Sequence, residues 1–144
     1  MHQQVRLSPT RTGGPGADAE RGGVTEILRI LRDANFNLQT AGGRDLDRKG
    51  EFVFAVHHDD DNPDEPGENA AQLLRENGFT DARTVYVRSC DVRDEPGGLH
   101  GCIERIESEE GEPIYEIFIG TSEDGTVPIQ LTTRSMVAPP ETGA

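Results

Sequence analysis

The chain has 144 residues, a formal net charge of −13, 33% hydrophobic residues and no tryptophan. That length holds one compact domain or two small ones, but 17 glycines and 9 prolines interrupt it with turns and keep any core thin. The acidity repels phosphate backbones and no stripe of Lys and Arg offsets it, which argues against nucleic-acid binding; spread over helix faces and loops, it reads as solvated surface. No apolar run approaches the ~20 residues of a membrane-spanning helix, and MHQQVRLSPTR shows no signal-peptide pattern, so a cytoplasmic protein is expected.

Val5 to Leu7 is predicted as a short strand, and Thr12-Gly13-Gly14-Pro15-Gly16 as a loop. From Val24 to Ala34, the residues Val24, Ile27, Leu28, Leu31 and Ala34 keep the spacing of one apolar helix face. Leu38 to Ala41 begins a strand, Asp47-Arg48-Lys49-Gly50 a turn, and Glu51 to Val56 an almost wholly apolar strand. His57 to Glu68, polar and acidic with two prolines, is predicted as loop. Asn69 to Gly78 follows as a helix closed by glycine, and Thr84 to Val92 as a strand. Strand, helix, strand, strand, helix, strand is the split βαβ, or ferredoxin-like, order of an α+β fold. It sets two helices on one face of an antiparallel sheet and leaves the other face needing cover.

An internal repeat extends this pattern. Gly22-Gly23-Val24, followed by Ile27, Leu28 and Leu31, recurs 75 residues later as Gly97-Gly98-Leu99, followed by Cys102, Ile103 and Ile106. At the same shift Gly50 falls on Gly125, so the turn Ser122-Glu123-Asp124-Gly125 and strand Thr126 to Leu131 match the earlier turn and strand. The second copy then ends without its last helix and strand. The predicted organisation is one unit over residues 3–88, a partial βαββ unit over 84–134 and a flexible tail over 135–144, with the strand Arg83 to Val92 serving both units. Pro128 lacks a donor for the ladder, which places its strand at an edge or on a bulge. Cys90 and Cys102 stand apart with no C-x-x-C spacing, and are expected as reduced, core-facing thiols.

Asp94-Glu95-Pro96-Gly97-Gly98-Leu99, closing a strand and opening an amphipathic helix, resembles the Asp/Asn-x-Pro-Gly-x-Leu loop of ACT domains. Asn35-Phe36-Asn37-Leu38 is similar to their Gly-Ile-Asn-Ile helix exit. The first unit departs from the pattern at Ala19-Glu20-Arg21-Gly22-Gly23, and the second at Glu110-Gly111-Glu112-Pro113-Ile114. The resemblance, which covers most of residues 3 to 134, implies two tandem ACT-like units, the second truncated. It also implies an amino-acid or similar small effector, bound between units where the strand-to-helix loop meets the following strand. The residues at those positions are Asp94, Pro96, Gly97, Gly98 and Leu99, with Gly22, Gly23 and Val24 in the first copy, and Asn37, Leu38, Gln39 and Ile114 at the helix exits.

The chemistry does not depend on the analogy. A helix opened by glycine offers free backbone N–H groups and a partial positive charge to a carboxylate, and Asp94 could accept from an ammonium group. The same residues serve equally as a tight turn in which Asp94 caps the helix. His57-His58-Asp59-Asp60-Asp61 suggests a divalent metal, but neighbours on an extended chain face opposite ways and a solvated strand end explains them better. His100 reads as an exposed first-turn residue. Ser89, Cys90 and Cys102 have no base motif around them, there is no phosphate-binding loop, and acidic pairs such as Asp45 and Asp47 are ordinary in so acidic a chain. No catalytic residue, metal or cofactor is expected. The leading expectation is a homodimeric regulatory or sensor module that binds a small ligand and answers to a partner enzyme. The alternatives are a ligand-free structural or interaction protein of the same fold, and a metal-dependent enzyme using His57 or His58.

Overall fold

The fold is that of a computed structural model, which describes residues 2–10, 23–46, 50–57 and 66–137. Several expectations lie outside the described residues: the Gly-rich loop at 12–16, the stretch 19–22 with Gly22, turn residues 47–49, the acidic loop from His58 to Glu65, and the tail from 138 onward. The elements are β1 (His2–Leu7), α1 (Gly23–Asp33), β2 (Leu38–Arg44), β3 (Glu51–Val56), α2 (Pro66–Glu76), β4 (Arg83–Arg93), α3 (Gly98–Glu110), β5 (Ile114–Ile119), β6 (Thr126–Thr133) and α4 (Arg134–Val137). They form an α+β fold of antiparallel strands and helices. The chain divides into two compact units, Gln3–Thr84 and Val85–Ala144 together with Met1–His2, and the division falls inside β4.

In the first unit β3 lies between β2 and β1, antiparallel to both. Val5 and Leu7 stand opposite Phe54 and Phe52, so one pleat face is continuous across the strands. On that face α1 contributes Ile27, Ile30 and Leu31, and α2 contributes Ala70, Ala71 and Leu74. Both helices therefore pack on one face, as the element order predicts. Gln4, Arg6, Val53 and Ala55, which point the other way, are buried too; the Arg6 guanidinium donates to Gln4 Oε1 at 2.9 Å and lies 3.8 Å from Glu51.

The helix details differ from expectation in two ways. Leu28 and Ala34, expected on the buried face of α1, are exposed, Leu28 by 40%, while Ile30 is buried; at 100° per residue, 27, 30 and 31 make the tighter arc and 28 falls at its margin, and Ala34 lies past the helix end at Asp33. Helix α2 starts at Pro66 rather than 69. Proline suits the first helical position, where its missing N–H would be unpaired anyway, and the Gln3 side chain accepts the Glu68 N–H at 3.2 Å. Arg75 and Thr84 both bond the Glu68 carboxylate, and the Arg75 contact above all holds that group below its ordinary pKa.

In the second unit β6 lies between β4 and β5. Helix α3 buries Cys102 and Ile106 against Ile129 and Leu131, with Cys90, Val92, Leu99, Ile103, Ile114 and Val127 around them. Arg88 ties β4 to the end of this helix through Glu109 and Glu110, which raises its pKa, Glu109 contributing first. The connection from β5 to β6 runs over residues 120–125 and ends in a two-residue turn closed by the Glu123–Thr126 bridge, with Asp124 and Gly125 both at positive φ, the Asp-Gly pattern that matches strand twist in a hairpin.

Three expectations need correction here. Pro128 sits in the central strand β6 opposite Asp91, not at an edge, and the irregular register lies at Ile114/Glu116 instead. The proline is tolerated because its carbonyl accepts the Gly120 N–H at 2.9 Å, so its missing donor faces the chain just past the end of β5 and interrupts no interior rung. Cys90 and Cys102 are not separate thiols but a disulfide with Cα atoms 6.8 Å apart; the short 94–97 loop folds α3 straight back over β4. Residues 134–137, placed largely in the tail, form the short helix α4, whose Ser135 N–H and hydroxyl both donate to Glu112.

Candidate functional site

Most of the residues singled out by sequence fall in two places, the entry of α3 in the second unit and the exit of α1 in the first; Gly23 and Val24 open α1, Ile114 follows α3, and Gly22 lies outside the described residues. In the second unit, Asp94, Glu95, Pro96 and Gly97 are exposed between β4 and α3. Backbone bonds shape this loop: Glu95 N–H to Arg93 O at 2.8 Å, Gly98 N–H to Glu95 O at 3.1 Å, and Asp94 N–H to Gly125 O of the hairpin turn at 3.0 Å. Gly97 caps α3 in the left-handed region, φ 85°, and no side chain caps the helix. The alternative in which Asp94 caps it therefore fails, because Gly97 holds the cap position three residues further on. The first turn of α3 is thereby left without a side-chain acceptor at its N-terminal end.

Gly98 has a different reason to be glycine. A Cβ there would lie 2.5 Å from the Arg93 carbonyl oxygen. Gly23, its counterpart at the 75-residue shift, also opens a helix, and a Cβ there would lie 2.0 Å from the Pro9 carbonyl oxygen. Both helices thus start hard against the backbone that leaves the preceding strand, and only glycine permits that approach. Val24 and Leu99, next in each copy, pack against the core of their own unit.

The second place is the exit of α1. Asn35 adopts φ 66°, and Phe36 N–H donates to Leu31 O at 2.9 Å, the six-to-one closure of a helix ended by a left-handed residue. Asn35 thus stands where the resembled motif has glycine. Asn37 is exposed, and its carbonyl accepts the His57 N–H at 2.6 Å. A cavity of about 340 Å³ opens here, lined by Leu28, Leu31, Arg32, Asn35, Phe36, Asn37 and Leu38. Of the expected residues it gathers Asn37 and Leu38, and Gln39 lies just outside its lining. Leu28 and Arg32 were missed as site residues; their one sequence signal is that they share a helix flank four apart. Arg32 is solvent-exposed and its guanidinium contacts Asp33 at 3.0 Å, which leaves further donors of the planar fork for a second carboxylate.

The corresponding exit of α3 is closed by its own side chains. Ile114 N–H donates to Glu107 at 2.9 Å and the Ile114 side chain packs against the core. The Glu112 carboxylate is held below its ordinary pKa first by the Ser135 N–H, then by the Thr133 and Ser135 hydroxyls. His57 is exposed, His58 lies outside the described residues, and among the described residues no three His, Cys, Asp or Glu side chains gather as metal ligands. No helix among them is long and apolar enough to cross a membrane.

No protein-family model matches the sequence, and neither does any curated protein. Solved structures do match in fold. Protein BT0572 from Bacteroides thetaiotaomicron is 18% identical, with a TM-score of 0.66 over 91% of this chain and 78% of its own. The ligand-free regulatory subunit of aspartate kinase from Thermus thermophilus is 12% identical, with a TM-score of 0.56 over 94% of this chain and 85% of its own. At these identities the likeness establishes the fold that the chain shares with them.

Proposed function

We propose that the chain is a regulatory module of two tandem ACT-like units that binds an amino acid or similar small carboxylate. The likeness in fold to the regulatory subunit of aspartate kinase, over 94% of this chain, carries the reading. The repeated glycine-opened helix at Gly23 and Gly98 supports the tandem relation. A ligand carboxylate suits the uncapped start of α3, where backbone N–H groups and the helix dipole converge. The cavity at the α1 exit falls in the size range of small-ligand sites, about 300–1,000 Å³, and Arg32 gives it a second carboxylate partner. The protein acts by binding rather than catalysis and passes its response to a partner enzyme.

Calorimetric titration and thermal shift with each of the twenty amino acids test this. A ligand at about a hundred times its Kd stabilises the fold by roughly 2.7 kcal/mol, a rise of several degrees in Tm. Arg32→Ala or Asn37→Ala should weaken that rise. No stabilisation by any of the twenty would sink the proposal.

One observation favours a second reading, an interaction protein that takes no ligand. Ile117 and Ile119 stand opposite Leu131 and Ile129, on the side of the sheet that α3 covers, yet are 40% and 54% exposed on edge strand β5. Exposed apolar edge residues suit a second copy of the chain. Sedimentation separates the readings: a dimer indifferent to every amino acid and split by Ile119→Lys supports the second.

A further inference from the structure

The disulfide closes a ring around the proposed ligand loop. Cys90 lies in β4 opposite Ile129, Cys102 lies on the buried side of α3 at 7% exposure, and the 12-residue separation encloses the end of β4, the loop Asp94–Gly97 and the first turn of α3. Among the described residues little else fastens that loop: its residues are exposed, no side chain caps the helix behind it, and one backbone bond, Asp94 N–H to Gly125 O, reaches beyond the loop and its flanks. The first unit shows what packing alone provides at the same place: position 27, 75 residues earlier, is isoleucine, fully buried within a larger core. In the second unit the sulfur of Cys102 takes that position and is shared between helix and strand.

We infer that Cys90 and Cys102 form a redox latch that sets the order of the 94–98 loop, and with it ligand binding. The ligand consequence rests on the function proposed above; the loop consequence does not. A dithiol reductant opens the latch. Its thiolate attacks the sulfur of half-buried Cys90, the S–S bond breaks, and the Cys102 thiolate leaves and takes a proton. The second thiol of the reductant then attacks the mixed disulfide and releases Cys90, so the reductant leaves as a cyclic disulfide and the protein gains two thiols. In a reducing compartment the loop is tethered by packing alone, and in an oxidising one it is held. Because the ring encloses the loop and the first turn but not the second half of α3, loosening should stay local.

The test compares the full chain before and after dithiothreitol, with thiols counted by alkylation and mass spectrometry and backbone hydrogen exchange followed peptide by peptide. The latch predicts no alkylated thiols before reduction and two after, with exchange over residues 91–101 faster by about tenfold or more on reduction and unchanged over α1 and β3. The Cys90→Ser/Cys102→Ser variant should exchange like the reduced protein and ignore the reductant; Cys90→Ala, which leaves Cys102 in the core, serves if the double variant fails to fold. Equal exchange in both states, or two thiols that a mild oxidant cannot join, overturns the latch. An amino acid that binds the two forms with affinities at least about threefold apart supports the coupling. Equal affinities overturn the coupling, and faster exchange with no amino acid bound to either form refutes the proposed ligand while the latch stands.

Discussion

Replacing Gly98 by alanine probes the physical basis of the helix start more sharply than any other single change. The added Cβ would sit 2.5 Å from the Arg93 carbonyl oxygen, about an ångström inside ordinary contact. The obstacle is backbone at the end of β4, paired with Thr126 of β6, so it cannot swing aside as a flexible side chain would. Overpacking of this kind costs about 1–3 kcal/mol, while alanine's better helix propensity returns at most about 1 kcal/mol. A net loss of roughly 1–2 kcal/mol lowers Tm by roughly 5–15 °C in a unit of this size. Two neighbouring glycines supply controls. Gly101 lies inside α3 with open space at its Cβ, so Gly101→Ala should stabilise by about 0.5–1 kcal/mol. Gly97 also has open space but a φ of 85°, so Gly97→Asn, a residue that tolerates the left-handed region, should change stability far less than Gly98→Asn. Scanning calorimetry of the four variants decides the matter. A Gly98→Ala protein as stable as the parent, or Gly97→Asn costlier than Gly98→Asn, would refute the assignment of conformation to one glycine and close approach to the other.

Other consequences follow from the same structure. Gly23→Ala, facing the Pro9 carbonyl at 2.0 Å, should destabilise the first unit more than Gly98→Ala does the second, measurable by urea denaturation followed through segment-resolved hydrogen exchange. Phe54, fully buried at the centre of the first core, should cost about 3–5 kcal/mol on truncation to alanine, and an equilibrium unfolding loss under 1 kcal/mol would show that its surroundings collapse into the gap. Glu68, Glu109 and Glu112 are all held below their ordinary pKa, chiefly by Arg75, Arg88 and the Ser135 N–H respectively. Their folded pKa values lie below the unfolded value of about 4.3, so the stability they add is complete above that pH and drains away as pH falls through the folded values. Tm should therefore drop on acidification below about pH 4.3, and Glu112→Gln should make the drop shallower; an identical pH profile for that variant would contradict the role given to Glu112.

Much of the fold was legible in the order of residues because the physics involved is local. The stripe of Ile27 and Leu31, the apolar run Glu51 to Val56 and the Asp124-Gly125 turn each report their own conformation, and the 75-residue repeat needs only that equal segments prefer equal structure. The glycines at 23 and 98 were legible as helix starts. That each faces a carbonyl was not, since the opposing atom comes from a residue whose distance in space is set by folding. The same limit hid the cavity: Asn37 and Leu38 were singled out by motif, but Leu28 and Arg32 join them only because α1 turns back at Asn35. It also hid the α3 exit, where Glu107 and Glu112 satisfy backbone and hydroxyl groups that the motif alone would leave open to a ligand.

The cysteines and Pro128 mark the boundary most plainly. By itself the sequence determined periodicity, turns and repetition, which depend on neighbours within a few residues. Tertiary structure alone decided that residues 90 and 102 meet, because a four-residue loop folds helix back on strand. It alone decided that Pro128 lies in a central strand without breaking its ladder, because the partner strand has already ended where the missing N–H points.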